Sequence, residues 1–242
     1  MKKKPFLPNE LKGAQLAVIG SGASLLQLTS DEVKLINNCV LLRTNWFFRD
    51  NVSGISKNIY GYFFGWIDDD MLKKFDQSNA TTQYIFTPLK TVNAQYKNAV
   101  DIWSWLRQRD ATCNRHLRHP RERGNLNLPT SGMQMMTFAS MVHPSRILMA
   151  GIDFYKNRTS SGFCAYGRQE PLGNPLTCKK PHDLRTDISF LVYACRRIGP
   201  GNIQSLGSTP MTFALNFIKK HIHENPTEII NTLTHQIEEQ FS

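Results

Sequence analysis

A chain of 242 residues, 40% hydrophobic and 20% charged, has an ordinary globular balance with enough apolar material for a real core, as one large domain or one domain with a small lid. The formal net charge of +10 calls for an anionic partner: nucleic acid, an acidic membrane surface or a phosphorylated ligand. Five cysteines, an odd number with no C-x-x-C pair, argue against a disulfide framework and against a cysteine metal cluster.

No stretch approaches the ~20 apolar residues of a membrane span. Met1 to Pro8 carries positive charge but no apolar segment of the kind a secretory signal needs. The expectation is a cytoplasmic protein with reduced thiols and, at most, peripheral contact with a membrane.

In chain order, Gln15 to Ile19 reads as a buried strand that runs into the small-residue turn Gly20-Ser21-Gly22-Ala23-Ser24. Such a turn exposes backbone N–H groups to a phosphate or carboxylate. The pattern G-x-G-x-S lacks the third glycine of a dinucleotide fingerprint, because Leu25 stands there, and a tight turn without a ligand gives the same pattern. Ser24 is suited to cap a following helix. Thr29-Ser30-Asp31-Glu32 reads as a helix start, with acidic residues at the positive end of the dipole. A second strand, Cys39 to Leu42, leads to Asn45 at a strand end level with the glycine turn. Further strands are expected at Ile59 to Phe64 and Tyr84 to Phe86, with a helix from Asp68 through Phe75 between them. The Asp68-Asp69-Asp70 run suits a metal or, as the plainer alternative, a solvated helix start.

Ile102 to Leu106 reads as an aromatic-rich helix, with Trp103 and Trp105 in the core. Arg107 to Arg123 is basic enough to grip phosphates of nucleic acid or lipid, although it lacks interleaved aromatics for base stacking; a solvated, partly mobile connection is the plainer alternative. A turn at Pro129 to Gly132 opens the uncharged segment Met133 to Val142, which reads as a buried helix. Pro144 breaks it, and Arg146 to Gly151 follows as a buried parallel strand that ends on the polar and aromatic tip Ile152-Asp153-Phe154-Tyr155. In an open α/β sheet ligands bind outside the carboxyl ends of the strands, so Ser131 and Tyr155 belong at one sheet edge.

Lys156 to Lys180 is rich in Gly, Ser, Thr, Asn and Pro, the composition of a binding loop or lid. A helix from Leu184 to Arg197, a strand at Ile203 to Leu206, a helix through His221 and an amphipathic helix from Thr227 to Phe241 complete the chain. In the last, Ile229, Ile230, Leu233 and Ile237 pack on the body, a partner or a membrane, with core packing the default.

Taken together, Val18 to Leu25, Arg43-Thr44-Asn45, Thr130-Ser131-Gly132, Gly151 to Tyr155, and His182 ahead of Thr186-Asp187-Ile188 resemble, in the same order, the bacterial sialyltransferases of glycosyltransferase family 42. These include the lipooligosaccharide α-2,3- and bifunctional α-2,3/2,8-sialyltransferases, enzymes of lipopolysaccharide and capsule-type surface glycans. The resemblance implies a modified GT-A fold of class α/β, with a Rossmann-like, mostly parallel sheet flanked by helices. Residues 1–155 would form the first part of the nucleotide-sugar domain, 156–182 a lid, and 183–242 the completion of the domain and the C-terminal helices. It also implies an inverting, metal-independent transfer of sialic acid from CMP-sialic acid to a galactoside or sialoside, with no cofactor beyond the activated donor. A homotetramer follows from the same resemblance, the basic surface and the last helix leave peripheral contact with the inner face of the cell membrane open, and no nucleic acid is expected.

Carried onto this sequence, His182 resembles the general base and Tyr155 a phosphate-binding tyrosine. Asn45 resembles the strand-end asparagine that contacts the donor, and Thr130, Ser131 and Gly132 the turn that holds it. Gly20, Ser21 and Gly22 resemble the first nucleotide-binding turn, with Ser21 in place of an asparagine. Asp153 and Phe154 belong to the donor-lining block, although Asp153 by its own chemistry reads as a loop tie. Ser161 stands where a second lid tyrosine is expected, with Tyr166 near; Lys179 replaces a tyrosine three before the histidine, so Lys179, Lys180 and Tyr166 are candidate phosphate contacts. Two other readings use the same residues: transfer of a related CMP-activated acid sugar, and a non-catalytic nucleic-acid-binding protein that uses Arg107 to Arg123.

Overall fold

The computed structural model describes residues 8–45, 47–49, 52, 54–63, 69–117, 127–154 and 183–241. Seven strands form one sheet: β1 (Gln15–Ile19), β2 (Val40–Thr44), β3 (Asn58–Phe63), β4 (Thr81–Thr87), β5 (Ala99–Asp101), β6 (Arg146–Ala150) and β7 (Ile203–Leu206). The spatial order is β5-β4-β3-β2-β1-β6-β7. Every pairing is parallel, one step beyond the mostly parallel sheet expected.

Alternation along each strand splits the core in two. On one face lie Leu16, Val18, Leu42, Phe63, Phe86, Ile147 and Met149; on the other lie Ala17, Ile19, Leu41, Tyr62, Ile85, Leu148 and Ala150. Both faces are covered, as parallel strands require. The second face takes residues of α1 (Ser30–Asn37), α2 (Asp69–Asp76) and α3 (Lys90–Gln95). The first takes those of α4 (Ile102–Arg107), α5 (Ala111–His116), α6 (Ser131–Met141), α7 (Leu184–Ile198), α8 (Thr209–His221) and α9 (Pro226–Gln240). In α9, Ile229, Ile230, Leu233 and Ile237 are all buried in this core, so that helix packs on the body. Among the described residues no helix is long and apolar enough to cross a membrane.

Several sequence expectations change. Strand β2 runs on through Arg43 and Thr44, and both are buried. Strand β4 starts three residues before Tyr84, at Thr81. Strand β5, three residues long, and α3 carry too few residues to show a period. The part of the basic stretch that is described is not a solvated connection. Asp110 caps α5 by accepting from the Cys113 N–H, and Cys113 and Leu117 are buried. The Asp68 helix start lies outside the described residues, and α2 runs from Asp69 to Asp76. Thr29 caps α1 through a reciprocal capping box with Glu32, as its sequence suggests. Trp103 and Trp105 pack against the core, and the Trp103 indole donates to Gln134 Oε1 at 2.7 Å.

The order of the strands creates one switch point. From β1 the chain builds outward to β5, then returns through α6 to lay β6 on the other side of β1. The loops after β1 and β6 therefore diverge, and a crevice opens between the two strand ends.

At that crevice the two strand tips are bonded to each other. The Gly20 N–H donates to the Ala150 carbonyl at 2.9 Å, and the Gly22 N–H to the Gly151 carbonyl at 2.8 Å. A Cβ on Gly20 would lie 2.2 Å from the Gly151 oxygen, and one on Gly22 2.5 Å from Asp153 Oδ2. Gly20→Ala is therefore expected to cost about 1–3 kcal/mol in urea unfolding, the range for overpacked sites. Gly201→Ala, where a Cβ meets nothing within 4 Å, is the control and should stay within about 0.5 kcal/mol of wild type. Equal stability for both variants would refute the tight junction.

Candidate functional site

The described site candidates gather at the β1/β6 switch point, and each is held there by a different device. Ser21 donates its hydroxyl to the Thr44 carbonyl at 3.3 Å, which ties the β1 turn to the end of β2. Asn45 follows β2 with φ +52°, a left-handed conformation that asparagine tolerates better than most residues. Its N–H donates to the Phe63 carbonyl at 3.0 Å, and the Tyr62 hydroxyl donates to its carbonyl, so the backbone is fixed and the side chain is left half-exposed. Asn45 is thus level with the glycine turn.

Thr130, Ser131 and Gly132 do not form a free turn: Thr130 is the N-cap of α6, and Ser131 and Gly132 are its first two residues. Gly132 is buried where a Cβ would press on Ile152 at 3.1 Å, and a Cβ on Gly20 would meet Ile152 at the same distance. Ile152 therefore sits between the β1 turn and the start of α6, and brings both to one place. Gln134 fixes the approach to the helix: its amide donates to the Pro129 carbonyl at 2.8 Å. Of the described candidates, Gly22, Asn45 and Ser131 remain half-exposed, while Gly20, Ser21, Thr130, Gly132, Asp153 and Phe154 are buried.

Asp153 is a tie, as its own chemistry suggests. Its carboxylate accepts from the Ser24 N–H at 2.9 Å and from the Ser24 hydroxyl at 2.5 Å. Ser24 accordingly does not cap a helix. Burial raises the Asp153 pKa, and the hydrogen bonds from Ser24 and Ser208 oppose that rise. Phe154 turns its backbone at φ +52° and buries its ring in the core. Tyr155, Tyr166, Lys179, Lys180 and His182 lie outside the described residues.

One buried group has no role in the sequence reading. Asp187, in the first turn of α7, is 3% exposed and accepts from the Thr130 N–H at 2.7 Å. Burial pushes its carboxyl up to about 7; the Thr130 hydrogen bonds oppose this, and the Asp183 carboxylate nearby adds to it. Its sequence signal is its place in the resembling block Thr186-Asp187-Ile188, as an acid directly before the apolar spacing of Ile188, Leu191, Val192 and Cys195.

The basic stretch is partly spent within the fold. Arg107 donates to the Leu117 carbonyl, and Arg109 lies 4.3 Å over the Trp105 ring while donating to the Trp105 carbonyl. These contacts hold cations that a phosphate-gripping surface would present freely.

A carboxyl whose pKa is higher folded than unfolded stabilises the protein most below its unfolded value, near 4, and that stability is lost as pH rises through about 7. Asp187→Asn removes the titration and keeps a carbonyl acceptor for Thr130. The melting temperature of the variant minus that of wild type should become more positive from pH 5 to pH 8; a difference that does not move with pH would contradict the assignment.

No protein-family model matches this chain, and no curated protein sequence does. Solved structures do. The sialyltransferase CstII from Campylobacter jejuni in complex with the substrate analogue CMP-3FNeuAc superposes at TM-score 0.62 with 20% identity, over 83% of this chain and 85% of that one. CstII in complex with a trisaccharide acceptor and CMP gives 0.56 with 18% identity, over 79% and 80%. The monofunctional α-2,3-sialyltransferase Cst-I from the same organism gives 0.62 with 16% identity, over 85% and 79%. This chain has the α/β fold of the Campylobacter jejuni sialyltransferases.

Proposed function

We propose that this protein is a glycosyltransferase of the sialyltransferase type, one that transfers sialic acid from CMP-sialic acid to a galactoside or sialoside of a cell-surface glycan. The observation that carries the reading is the coincidence of two things. The fold is that of proteins solved with CMP and with a CMP-sugar analogue, and the described residues among Gly20 to Gly22, Asn45, Thr130 to Gly132 and Gly151 to Phe154 lie about its switch point. The half-exposed Asn45 and Ser131 offer an amide and a hydroxyl, and the first turn of α6 offers backbone N–H groups, the kinds of donor that a nucleotide phosphate and a sugar carboxylate need. The start of α6 adds the positive end of an eleven-residue helix.

In the mechanism we infer, His182 takes the proton from the acceptor hydroxyl as that oxygen attacks the anomeric carbon. A sugar hydroxyl is a poor nucleophile at neutral pH, and histidine is the side chain whose ordinary pKa suits the task. The bond to the CMP phosphate breaks on the opposite face, which inverts the centre. Charge grows on the leaving phosphate, so donors already in place lower the barrier most. Tyr155 would supply them, together with Tyr166, Lys179 and Lys180 from residues 156–182, the segment the resemblance assigns to a lid. Action on a lipooligosaccharide or capsule precursor at the inner face of the cell membrane, and assembly as a tetramer, belong to the same reading. A related CMP-activated acid is the nearest alternative donor.

CMP should raise the melting temperature, with about 2.7 kcal/mol of stabilisation at a hundredfold excess over Kd, and CDP, UDP and AMP should not. Transfer to a galactoside should persist in EDTA. His182→Ala should lower transfer at least about 100-fold while CMP binding is retained. Full activity in that variant would remove the base assignment, and an equal response to AMP would remove the donor class.

A further inference from the structure

We propose that Asp187 is a positioning residue for donor transfer: its buried carboxyl locks the capped start of α6, which would hold the donor, to the first turn of α7, the helix that follows His182 in sequence. This rests on the transferase reading above, and extends it to a residue with no contact to the reacting atoms.

The geometry is specific. Thr130 is the N-cap of α6: its hydroxyl accepts from the Met133 N–H at 3.4 Å, and its own N–H points away from α6 to Asp187 Oδ1 at 2.7 Å. That N–H is buried, with Thr130 itself 7% exposed, so removing the acceptor leaves a donor that water does not reach. On the other side, Asp187 is fixed by the helix it belongs to. Asp183 caps α7 by accepting from the N–H groups of Arg185 and Thr186 and from the Thr186 hydroxyl at 3.0 Å, and the Asp187 N–H returns to the Asp183 carbonyl at 3.1 Å. Asp183 is the residue next to His182 in sequence. The side chain of Asp187 therefore joins two capped helix starts, residues 130 and 183–187, that are 57 positions apart at the bond itself.

The link joins the starts of two helices that are also tied near their ends, where Arg197 donates to the Ser140 hydroxyl at 3.1 Å. Between these ties α6 and α7 meet through apolar side chains, among them Met133, Met136, Ile188 and Leu191. At the helix starts, the short hydrogen bond from the Thr130 N–H to the Asp187 carboxyl holds the two caps together. Catalytic geometry is sensitive to small displacements: a 1 Å misplacement can cost about 100-fold. Either protonation state of the carboxyl, and the amide of an asparagine, presents an oxygen that accepts from Thr130.

The test compares wild type, Asp187→Ala and Asp187→Asn in steady-state transfer from CMP-sialic acid, at a temperature well below each melting point. Asp187→Ala should raise the donor KM about tenfold or more and lower kcat, and Asp187→Asn should restore both to within about threefold of wild type. A purely structural role would lower the melting temperature of Asp187→Ala and leave KM and kcat of the folded enzyme alone, which overturns the proposal. Should the alanine variant not fold, amide hydrogen exchange on wild type decides: CMP should slow exchange in residues 128–133 and 183–190 together, and slowing in 128–133 alone overturns the coupling. A wild type that neither binds CMP nor turns over CMP-sialic acid overturns the transferase reading and this proposal with it, whereas an active wild type with an unaltered alanine variant overturns this proposal alone.

Discussion

The backbones at the tips of β1 and β6 meet without room for a side chain, and the site depends on that junction. Two backbone hydrogen bonds, Gly20 to Ala150 and Gly22 to Gly151, continue the parallel ladder past the end of both strands. The Asp153 carboxylate then clasps Ser24 from across the gap. No side chain fits between these backbones, so residues 20, 22 and 151 must be glycine for packing reasons before any ligand is considered. Gly151 meets this twice over, with φ +64° and a Cβ position 2.6 Å from Leu25. The glycine pattern after β1 is therefore explained by the protein's own architecture, and carries less information about a nucleotide than its appearance suggests.

What speaks for a ligand is the surface left over after that junction has been made. Ile152, pinned between Gly20 and Gly132, draws the start of α6 against the strand tips. Thr130 spends its hydroxyl on capping and its N–H on Asp187, and Ser21 spends its hydroxyl on Thr44. Gly22, Asn45 and Ser131 remain half-exposed at the crevice. A frame of buried, mutually satisfied polar groups with a few accessible ones at its rim is how a rigid scaffold presents a binding site.

How far the sequence could be read follows from the range of the forces involved. Strands β1, β2 and β6 were legible because Leu16 to Ile19, Val40 to Leu42 and Ile147 to Ala150 are apolar runs bounded by turn residues, and α1 because Thr29 and Glu32 announce it locally. The order of motifs along the chain pointed to the fold that the superpositions display. Short elements escaped: β5 has three residues, and α5 sat inside a run of arginines whose charge obscured the cap at Asp110. The ties that shape the site escaped for another reason. Ser24 and Asp153 are 129 positions apart, and Thr130 and Asp187 are 57, so nothing local marks either pair as partners. Asp153 reads as a tie from its chemistry, but its partner Ser24 reads locally as a helix cap. Gln134, buried in an apolar helix, became intelligible only with the Pro129 carbonyl and Trp103 beside it.

The central claim is that a CMP-linked sugar sits at the β1/β6 switch point with its anionic groups toward the start of α6. Titration of CMP into isotopically labelled protein, followed through backbone amide chemical shifts, tests this most directly. The account predicts that the largest changes fall on residues 20–24, 44–45, 130–132 and 151–154. Changes centred on residues 107–117, or none at saturating CMP, would contradict it.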